Sequence, residues 1–320
     1  MSVKKMKYCV GGEWLESKTE KWMDVTDSST GEVIAQVPCC TADEVEAAIA
    51  AADAAFPEWS MTSISKRTQM MFKWRNILVD HLEELTVLCA KELGKNLAEA
   101  RGDILKAIEP TELACATPFV SQGAASLQVT TGFDTASYRV PLGVVAGIVP
   151  FNFPAMIPWG WMVPLAVATG NTVVLKAASY TPLTSMRIME LFYEEAGFPK
   201  GVVNLVTCSR NESELFLTDP RVKAVTFVGS ARGKRAVFTA CNGHIRRIVR
   251  FRADQSCTFT LKTELSKGEV RVELLESGKQ KIMELGSRNP TAVVSVKKGR
   301  RYDLVVRFKS ATGKYFLDYE

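Results

Sequence analysis

The 320-residue chain predicts an α/β protein: a parallel sheet wrapped by helices behind a helical N-terminal part, then a small C-terminal antiparallel β-sandwich. Three observations predict it. Between residues 143 and 228, short apolar runs alternate with amphipathic helical stretches across brief Gly/Pro connections, the pattern of successive βαβ units. After Gly243 the apolar period falls to two, with turn signals at Lys267-Gly268, Ser277-Gly278, Lys298-Gly299 and Thr312-Gly313. The charge balance changes at the same place: residues 244–320 hold 17 Lys and Arg against 9 Asp and Glu, whereas residues 1–243 hold 23 against 26. Such a shift marks a domain boundary. It divides the chain into 1–243 and 244–320, the second of about 75 residues and still able to fold alone.

Each element follows from local signals. Gly11-Gly12 before Glu13-Trp14-Leu15 predicts a short hairpin, and Asp27-Ser28-Ser29-Thr30-Gly31 a turn before a strand at 32–37. Thr41-Ala42-Asp43-Glu44 is a capping box, because the Thr41 oxygen can accept an N-terminal amide while Glu44 reaches back. It opens a helix over 43–56 that Pro57 should end. Amphipathic helices follow at 65–79, 83–93 and 97–117, the last with Pro110 awkwardly inside it. Residues 127–139 turn polar and β-like, as an exposed arm would. Strands at 143–149, 172–176, 202–206 and 222–228 then alternate with helices at 157–169, 182–196 and 212–218, and a further helix is expected after Ser230. Such Rossmann-like sheets bind ligands beyond the carboxyl ends of their strands. In the last segment Val270, Val272 and Leu274, and again Leu304, Val306 and Phe308, alternate with charged residues.

Composition excludes several classes. Hydrophobic content of 47% with 23% charged residues is ordinary for a globular protein. No run reaches the roughly 18 apolar residues that span a bilayer, and the basic N-terminus leads into no signal-like segment, so a cytoplasmic protein without a membrane partner is expected. The eight cysteines (Cys9, Cys39, Cys40, Cys89, Cys115, Cys208, Cys241 and Cys257) form no C-x-x-C pair, and His81 and His244 are the only histidines. Buried reduced thiols are expected, with no metal site, disulfide framework or Ser-His-Asp triad. The basic C-terminal segment could meet a nucleic acid. Its Arg and Lys alternate with apolar residues and lack an aromatic cluster, which favours solvated strand faces instead. Gly229-Ser230-Ala231-Arg232-Gly233-Lys234 is one spacer short of a P-loop and lacks its closing Ser/Thr.

The stretch 139–158, centred on Pro150-Phe151-Asn152-Phe153-Pro154, resembles the aldehyde dehydrogenase superfamily, most closely its methylmalonate-semialdehyde, CoA-acylating group. Supporting stretches are Gly11-Gly12-Glu13-Trp14, Ala55-Phe56-Pro57-Glu58-Trp59-Ser60, residues 164–176 ending in Lys176, and residues 223–230 ending in Gly229-Ser230. The likeness runs in order over about residues 7–240 and covers about half of a full-length member. It implies NAD or NADP as cofactor, a small aldehyde as substrate, CoA as a co-substrate in relatives, and a homo-oligomer as one assembly.

The resemblance also assigns residues. Oxidising an aldehyde through a covalent thiohemiacetal builds charge on the substrate oxygen, where one preorganised donor contributes roughly 3–4 kcal/mol. Asn152 occupies the family's amide-donor position, although an Asn between two prolines can equally cap a turn. The cofactor would lie against Val149, Phe151, Lys176, Ser179, Tyr180, Gly229 and Ser230. Lys176 ends a buried strand where a cation meets the adenosine ribose or its phosphate. Ser179 stands where NAD-using members carry a Glu; losing that carboxylate relieves repulsion against a 2′-phosphate, so NADP should be tolerated. Gly229-Ser230 opens onto the pyrophosphate.

Departures are as informative. The family's general base is a Glu in a Glu-Leu-Gly-Gly-Lys setting some two dozen residues past the Gly-Ser, and nothing similar lies near 247–257. Glu284-Leu285-Gly286-Ser287 has the look of it but falls far later, as a strand end before a turn would. The family's reactive Cys follows that Glu, whereas no cysteine follows Cys257. Lys106 stands where semialdehyde-specific relatives place an Arg. The expectation is an NAD(P)-binding chain related to semialdehyde oxidation and catalytically incomplete. The alternatives are an active enzyme with an unorthodox thiol (Cys257 or Cys241, with Glu284) and a non-enzymatic binding module or joined reading frame.

Overall fold

The computed structural model describes residues 3–229, 234–249, 253–277 and 280–319. It divides into two compact units, Met1–Gly229 with two apolar clusters and Ser230–Glu320 with one.

The first unit opens with strands β1 (Tyr8–Val10) and β2 (Glu13–Leu15), joined by Gly11-Gly12, both of which have positive φ. A hairpin of β3 (Trp22–Thr26) and β4 (Val33–Pro38) follows. Helix α1 (Ala42–Met61) starts at the capping box: the Glu44 carboxylate accepts the Thr41 N–H at 2.8 Å, and Thr41 Oγ1 accepts the Glu44 N–H at 3.4 Å. Pro57 does not end this helix. It removes one donor, but the next turn is held by packing, since Trp59 is buried and its Nε1 donates to the Val167 carbonyl at 3.1 Å. Helices α2 (Ile64–Asp80), α3 (Leu82–Leu93) and α4 (Leu97–Cys115) come next, then the single turn α5 (Thr117–Val120). Pro110 lies inside α4 and has no N–H for the Lys106 carbonyl, four residues back. The chain uses the gap: at Gly160 a Cβ would sit 2.8 Å from that oxygen, so only glycine packs there. The expected exposed arm is a hairpin of β5 (Ala124–Thr130) and β6 (Phe133–Ser137), exposed throughout.

The rest alternates as expected. Strand β7 (Val144–Ile148) leads to a π-helix (Met156–Met162) and helix α6 (Val163–Ala168). The sequence predicts one α-helix here. Pro164 cannot donate to the Gly160 carbonyl and its ring would press on it, and the wider turn accommodates this, with the Val163 N–H reaching back to Pro158. Then come β8 (Thr172–Lys176), α7 (Leu183–Glu194), β9 (Val203–Val206), α8 (Leu215–Thr218) and β10 (Val222–Phe227).

The sheet order is β10-β7-β8-β9-β1-β2. The first four strands are parallel, while β1 and β2 add an antiparallel edge. Alternate residues enter two different cores. Val144, Ala146, Val174 and Val206 face α1 and α8, whereas Val173, Leu175, Val203 and Leu205 join the larger cluster under α2, α3, α4 and α7. A strand buried on both faces reads as a continuous apolar run, which is how these strands look in the sequence.

The second unit is one antiparallel sheet of β11 (Lys234–Val249), β12 (Gln255–Glu276), β13 (Gln280–Leu285), β14 (Thr291–Val296) and β15 (Tyr302–Tyr319). Its long strands change phase midway. In β12 the buried residues are Cys257, Phe259 and Leu261, then Val270, Val272 and Leu274; in β15 the residues of the shared core are Tyr302, Leu304, Val306 and Phe308, then Ala311, Tyr315 and Leu317, while Asp303 and Val305 are buried between them. Register shifts at Leu265/Lys267 and Lys267/Glu269 insert the odd residue that keeps one face inward along the whole strand. Both halves share one core, as the predicted sandwich requires. The unit begins earlier than the boundary expected at 243. Residues 234–249, where the sequence predicted a helix after Ser230, pair with β15 as β11 instead; residues 230–233 lie outside the described residues.

Candidate functional site

Strand order locates the site. From β7 the chain moves outward through β8 to β9, then returns to place β10 on the other side of β7. The connections diverge between β7 and β10, and a crevice opens beyond the carboxyl ends of strands at such a reversal. Of the residues expected at the cofactor, Val149, Lys176 and Gly229 lie at or just past the ends of these strands. The Val149 N–H donates to the Lys176 carbonyl at 3.4 Å, and the Val228 N–H to the Ile148 carbonyl at 3.1 Å, which sets the ends of β8, β7 and β10 side by side. Val149 is buried; Phe151 is 56% and Tyr180 67% exposed. Ser179 is half-buried in the loop between β8 and α7. At Gly229 a Cβ would lie 2.4 Å from the tip of the exposed Phe227 ring, so a side chain there would have to push that ring aside. Ser230 lies outside the described residues.

The loop carrying Asn152 has no regular structure, because Pro150 and Pro154 lack N–H groups. Side chains from three other segments hold it. Thr181 Oγ1 donates to the Phe151 carbonyl and Ser185 Oγ to the Pro154 carbonyl, each at 2.6 Å. Lys95 Nζ donates to the Asn152 carbonyl at 2.9 Å, and Asp103 Oδ1 accepts the Met156 N–H at 2.8 Å. The Asn152 residue is exposed, and no bond to its side-chain amide is present among the described residues. Its carbonyl is tied down while its amide stays available as a donor.

Beneath the loop is a set of buried ionisable groups that sequence reasoning missed. The Glu92 carboxylate caps α7, accepting the Leu183 N–H at 2.8 Å and the Thr184 N–H at 2.9 Å. Burial pushes its carboxyl up to about 7 against those hydrogen bonds. Burial also raises Asp103, opposed by the Met156 amide and by Lys95. The available signal was a polar residue at a helix position facing the core, at Glu92 and Asp103, together with the Gly94-Lys95-Asn96 link between two helices.

Among the described residues the thiols are withdrawn from solvent. Cys9, Cys40, Cys89, Cys115, Cys208 and Cys257 are buried and Cys39 is half-buried; the Cys241 side chain lies outside the described residues. Burial pushes Cys9, Cys40 and Cys208 up to about 12 and raises Cys89 and Cys115 as well, so each stays a thiol at neutral pH. Cys257 sits fully buried on the inner face of the second unit, beside Gln255 Nε2 at 3.2 Å. Glu284 lies on the opposite face, because Met283 and Leu285 turn inward. It is bonded to Lys281 and to Arg271, and Lys281 holds its carboxyl below the ordinary range, a poor setting for a base. The motif around Glu284 is a strand end followed by a turn, closed by Gly286 and Asn289. Lys106 is paired with Glu109. No cluster of three His, Cys, Asp or Glu side chains suited to a metal is present among the described residues.

Fold and strand ends together define a doubly wound α/β protein with the reversal of strand order at which such folds bind their ligands. More particularly, the chain belongs to the aldehyde dehydrogenase family, whose sequence profile matches residues 14–250. It is 42% identical over 247 residues to malonate-semialdehyde dehydrogenase of Lacticaseibacillus casei, covering 77% of this chain and 50% of that protein. Among solved structures it is similar to methylmalonate-semialdehyde dehydrogenase from Oceanimonas doudoroffii, with 37% identity and a TM-score of 0.67, over 70% of this chain and 45% of that one. A methylmalonate-semialdehyde dehydrogenase from Sinorhizobium meliloti complexed with NAD is similar at 32% identity and a TM-score of 0.67, over the same shares. The chain spans about half the length of the curated relatives it matches. Among the described residues no helix is long and apolar enough to cross a membrane.

Proposed function

We propose that the first unit binds NAD or NADP in the crevice between β7 and β10, and that this chain does not itself complete aldehyde oxidation. The observation that carries the binding reading is the strand reversal, with Val149, Lys176 and Gly229 at adjoining strand ends. The donor set fits the group: Lys176 offers a cation to the ribose or its phosphate, Ser179 a hydroxyl, and the Gly229 backbone approaches without a side chain in the way. When bound, the nicotinamide supplies a hydride acceptor. The chain's own part is to orient it against Val149 and Phe151 and to hold the Asn152 amide toward a developing oxyanion. Semialdehydes are the substrate class, by similarity to the relatives named above. The buried, thiol-form cysteines support the absence of turnover, and the opposite faces of Cys257 and Glu284 argue against an unorthodox catalytic pair.

Fluorescence titration of the full chain with NADPH and NADH tests the binding reading; saturable binding is expected for both. Ser179→Glu should weaken NADPH by roughly tenfold or more while sparing NADH, since it sets a carboxylate beside the 2′-phosphate. NADH production from malonate semialdehyde, with and without CoA, should stay at background. Saturable turnover would overturn the second half of the proposal, and absence of nucleotide binding the first.

A further inference from the structure

We propose that Lys95 is a positioning residue: its ammonium locks the Asn152 loop in the conformation that the crevice requires. Lys95 lies in the three-residue link between α3 and α4, far from the loop in sequence. The link is rigid on both sides. Gly94 closes α3 in a left-handed conformation, with its N–H on the Ala90 carbonyl, and Asn96 caps α4 through the Glu99 N–H at 2.9 Å. Ser28 Oγ donates to the Glu92 carbonyl at 2.7 Å and anchors the same turn to the β3–β4 hairpin. Lys95 therefore leaves a fixed backbone and reaches its target with little freedom.

Its ammonium is engaged three ways. It donates to the Asn152 carbonyl at 2.9 Å, pairs with Asp103 Oδ2 at 3.4 Å, and stands over the Phe153 ring at 3.8 Å from the centroid. The Asp103 side chain is 0% exposed and that of Lys95 18%. Through its other oxygen Asp103 grips the Met156 N–H. One ion pair thus holds both ends of the segment 152–156, the first at a carbonyl and the last at an amide. Thr181 and Ser185 fasten the carbonyls of Phe151 and Pro154 between them. Without the ammonium, the Asn152 carbonyl loses its donor, Phe153 loses the cation on its face, and Asp103 is left as a buried acid without a counter-charge. The Asn152 carbonyl is then held by no side chain, and the direction of the Asn152 amide is less constrained.

The consequence for nucleotide rests on the function proposed above; the consequence for the loop does not. Hydrogen exchange followed by mass spectrometry on the full chain, free of nucleotide, tests the loop directly. Lys95→Met keeps the stem and removes the charge. It should speed exchange in residues 151–157 by about tenfold, the loss of one charge-assisted hydrogen bond, and leave α2 and β8 unchanged. Lys95→Arg should restore most of the protection. Unchanged exchange in 151–157, acceleration spread evenly over the first unit, or an Arg variant as fast as Met would each overturn the proposal. If Lys95→Met does not fold, Asp103→Asn keeps an acceptor for the Met156 N–H and supports the same comparison. In a parallel NADPH titration, Lys95→Met should weaken binding by about tenfold with recovery in Lys95→Arg. Faster loop exchange with undiminished affinity would overturn the link to the crevice. A wild-type chain that binds no nucleotide would overturn the proposed function, while the exchange result still decides the role of Lys95.

Discussion

In the first unit, ion-forming side chains are taken inside. Glu92, Asp103 and Arg67 are each less than a tenth exposed, and each is satisfied chiefly by backbone: Glu92 by the start of α7, Asp103 by Met156, and Arg67 by carbonyls at Ser60, Thr62 and Ala168. In the second unit Asp303 is likewise buried, beside Arg301, but Glu269, Arg271, Glu273, Lys281, Glu284 and Arg307 form a ladder of ion pairs on the outer face. The contrast separates two uses of charge. A buried carboxylate bonded to backbone dictates where a segment lies, because nothing else can satisfy those amides once water is excluded. An exposed ladder keeps a sheet face solvated and contributes little pair by pair.

The largest expected effect tests whether the units stand apart. Phe259→Ala empties part of the second core and should cost that unit about 3–5 kcal/mol in urea unfolding, while NADPH affinity stays as in wild type. Loss of affinity would break the comparison by making the first unit depend on the second.

Next comes Glu92→Ala, which orphans two buried amides at the start of α7 and should lower the stability of the first unit by about 3 kcal/mol. Glu92→Gln keeps one acceptor and should cost less. The same residue has a pH signature. Its carboxyl is raised from an ordinary 4.5 to about 7 in the folded chain, so the folded state binds the proton more tightly than the unfolded state. Its contribution therefore becomes less favourable as pH rises from 4.5 to about 7 and is flat above. Asp103 is shifted the same way. Chemical denaturation across that window should show a wild-type stability declining more steeply with pH than that of Glu92→Gln. Equal slopes would mean that Glu92 is ionised without cost.

A smaller effect is expected at His81, on the first unit's surface. Its Nδ1 meets Glu84 at 2.7 Å and its Nε2 meets Glu195 at 3.0 Å, and these carboxylates, Glu84 foremost, raise its pKa above the ordinary 6.5. The stability it adds is complete below 6.5 and is lost as pH rises through the higher folded value. His81→Gln should lower Tm at pH 6 and leave it nearly unchanged well above the folded pKa; a pH-independent difference would point to packing instead. The smallest effect belongs to Glu284→Gln, which removes part of the exposed ladder and should leave both Tm and NADPH affinity within error. A clear loss of affinity there would set the ladder's role above mere solvation.

Elements whose cause is local were legible. Thr41 and Glu44 mark the start of α1 because the capping box closes within four residues, and β7 and β8 show as apolar runs between glycines and prolines. The segments that misled are those where distant packing outweighed a local breaker. Pro57 stays inside α1 because Trp59 is buried against Val167; the π-helix follows from prolines that also permit an ordinary helix. Residues 234–249 form a strand because β15 offers it an edge to pair with. In the site, Asn152, Lys176 and Gly229 stood out by residue type and resemblance. Lys95, Asp103 and Glu92 did not, since each acts on backbone that lies many residues away.

By itself, then, the amino-acid order determined the alternation of parallel strands and helices, the family, and the chemical groups placed at strand ends. Those depend on short-range hydrophobic period and on side-chain identity. Only the tertiary structure decided the return of β10 to the far side of β7, the phase change that keeps one face of β12 and β15 inward, and the ion pair that holds the Asn152 loop. Each requires groups far apart in the chain to meet where water is excluded, and the strength of such contacts comes from that exclusion rather than from any local pattern.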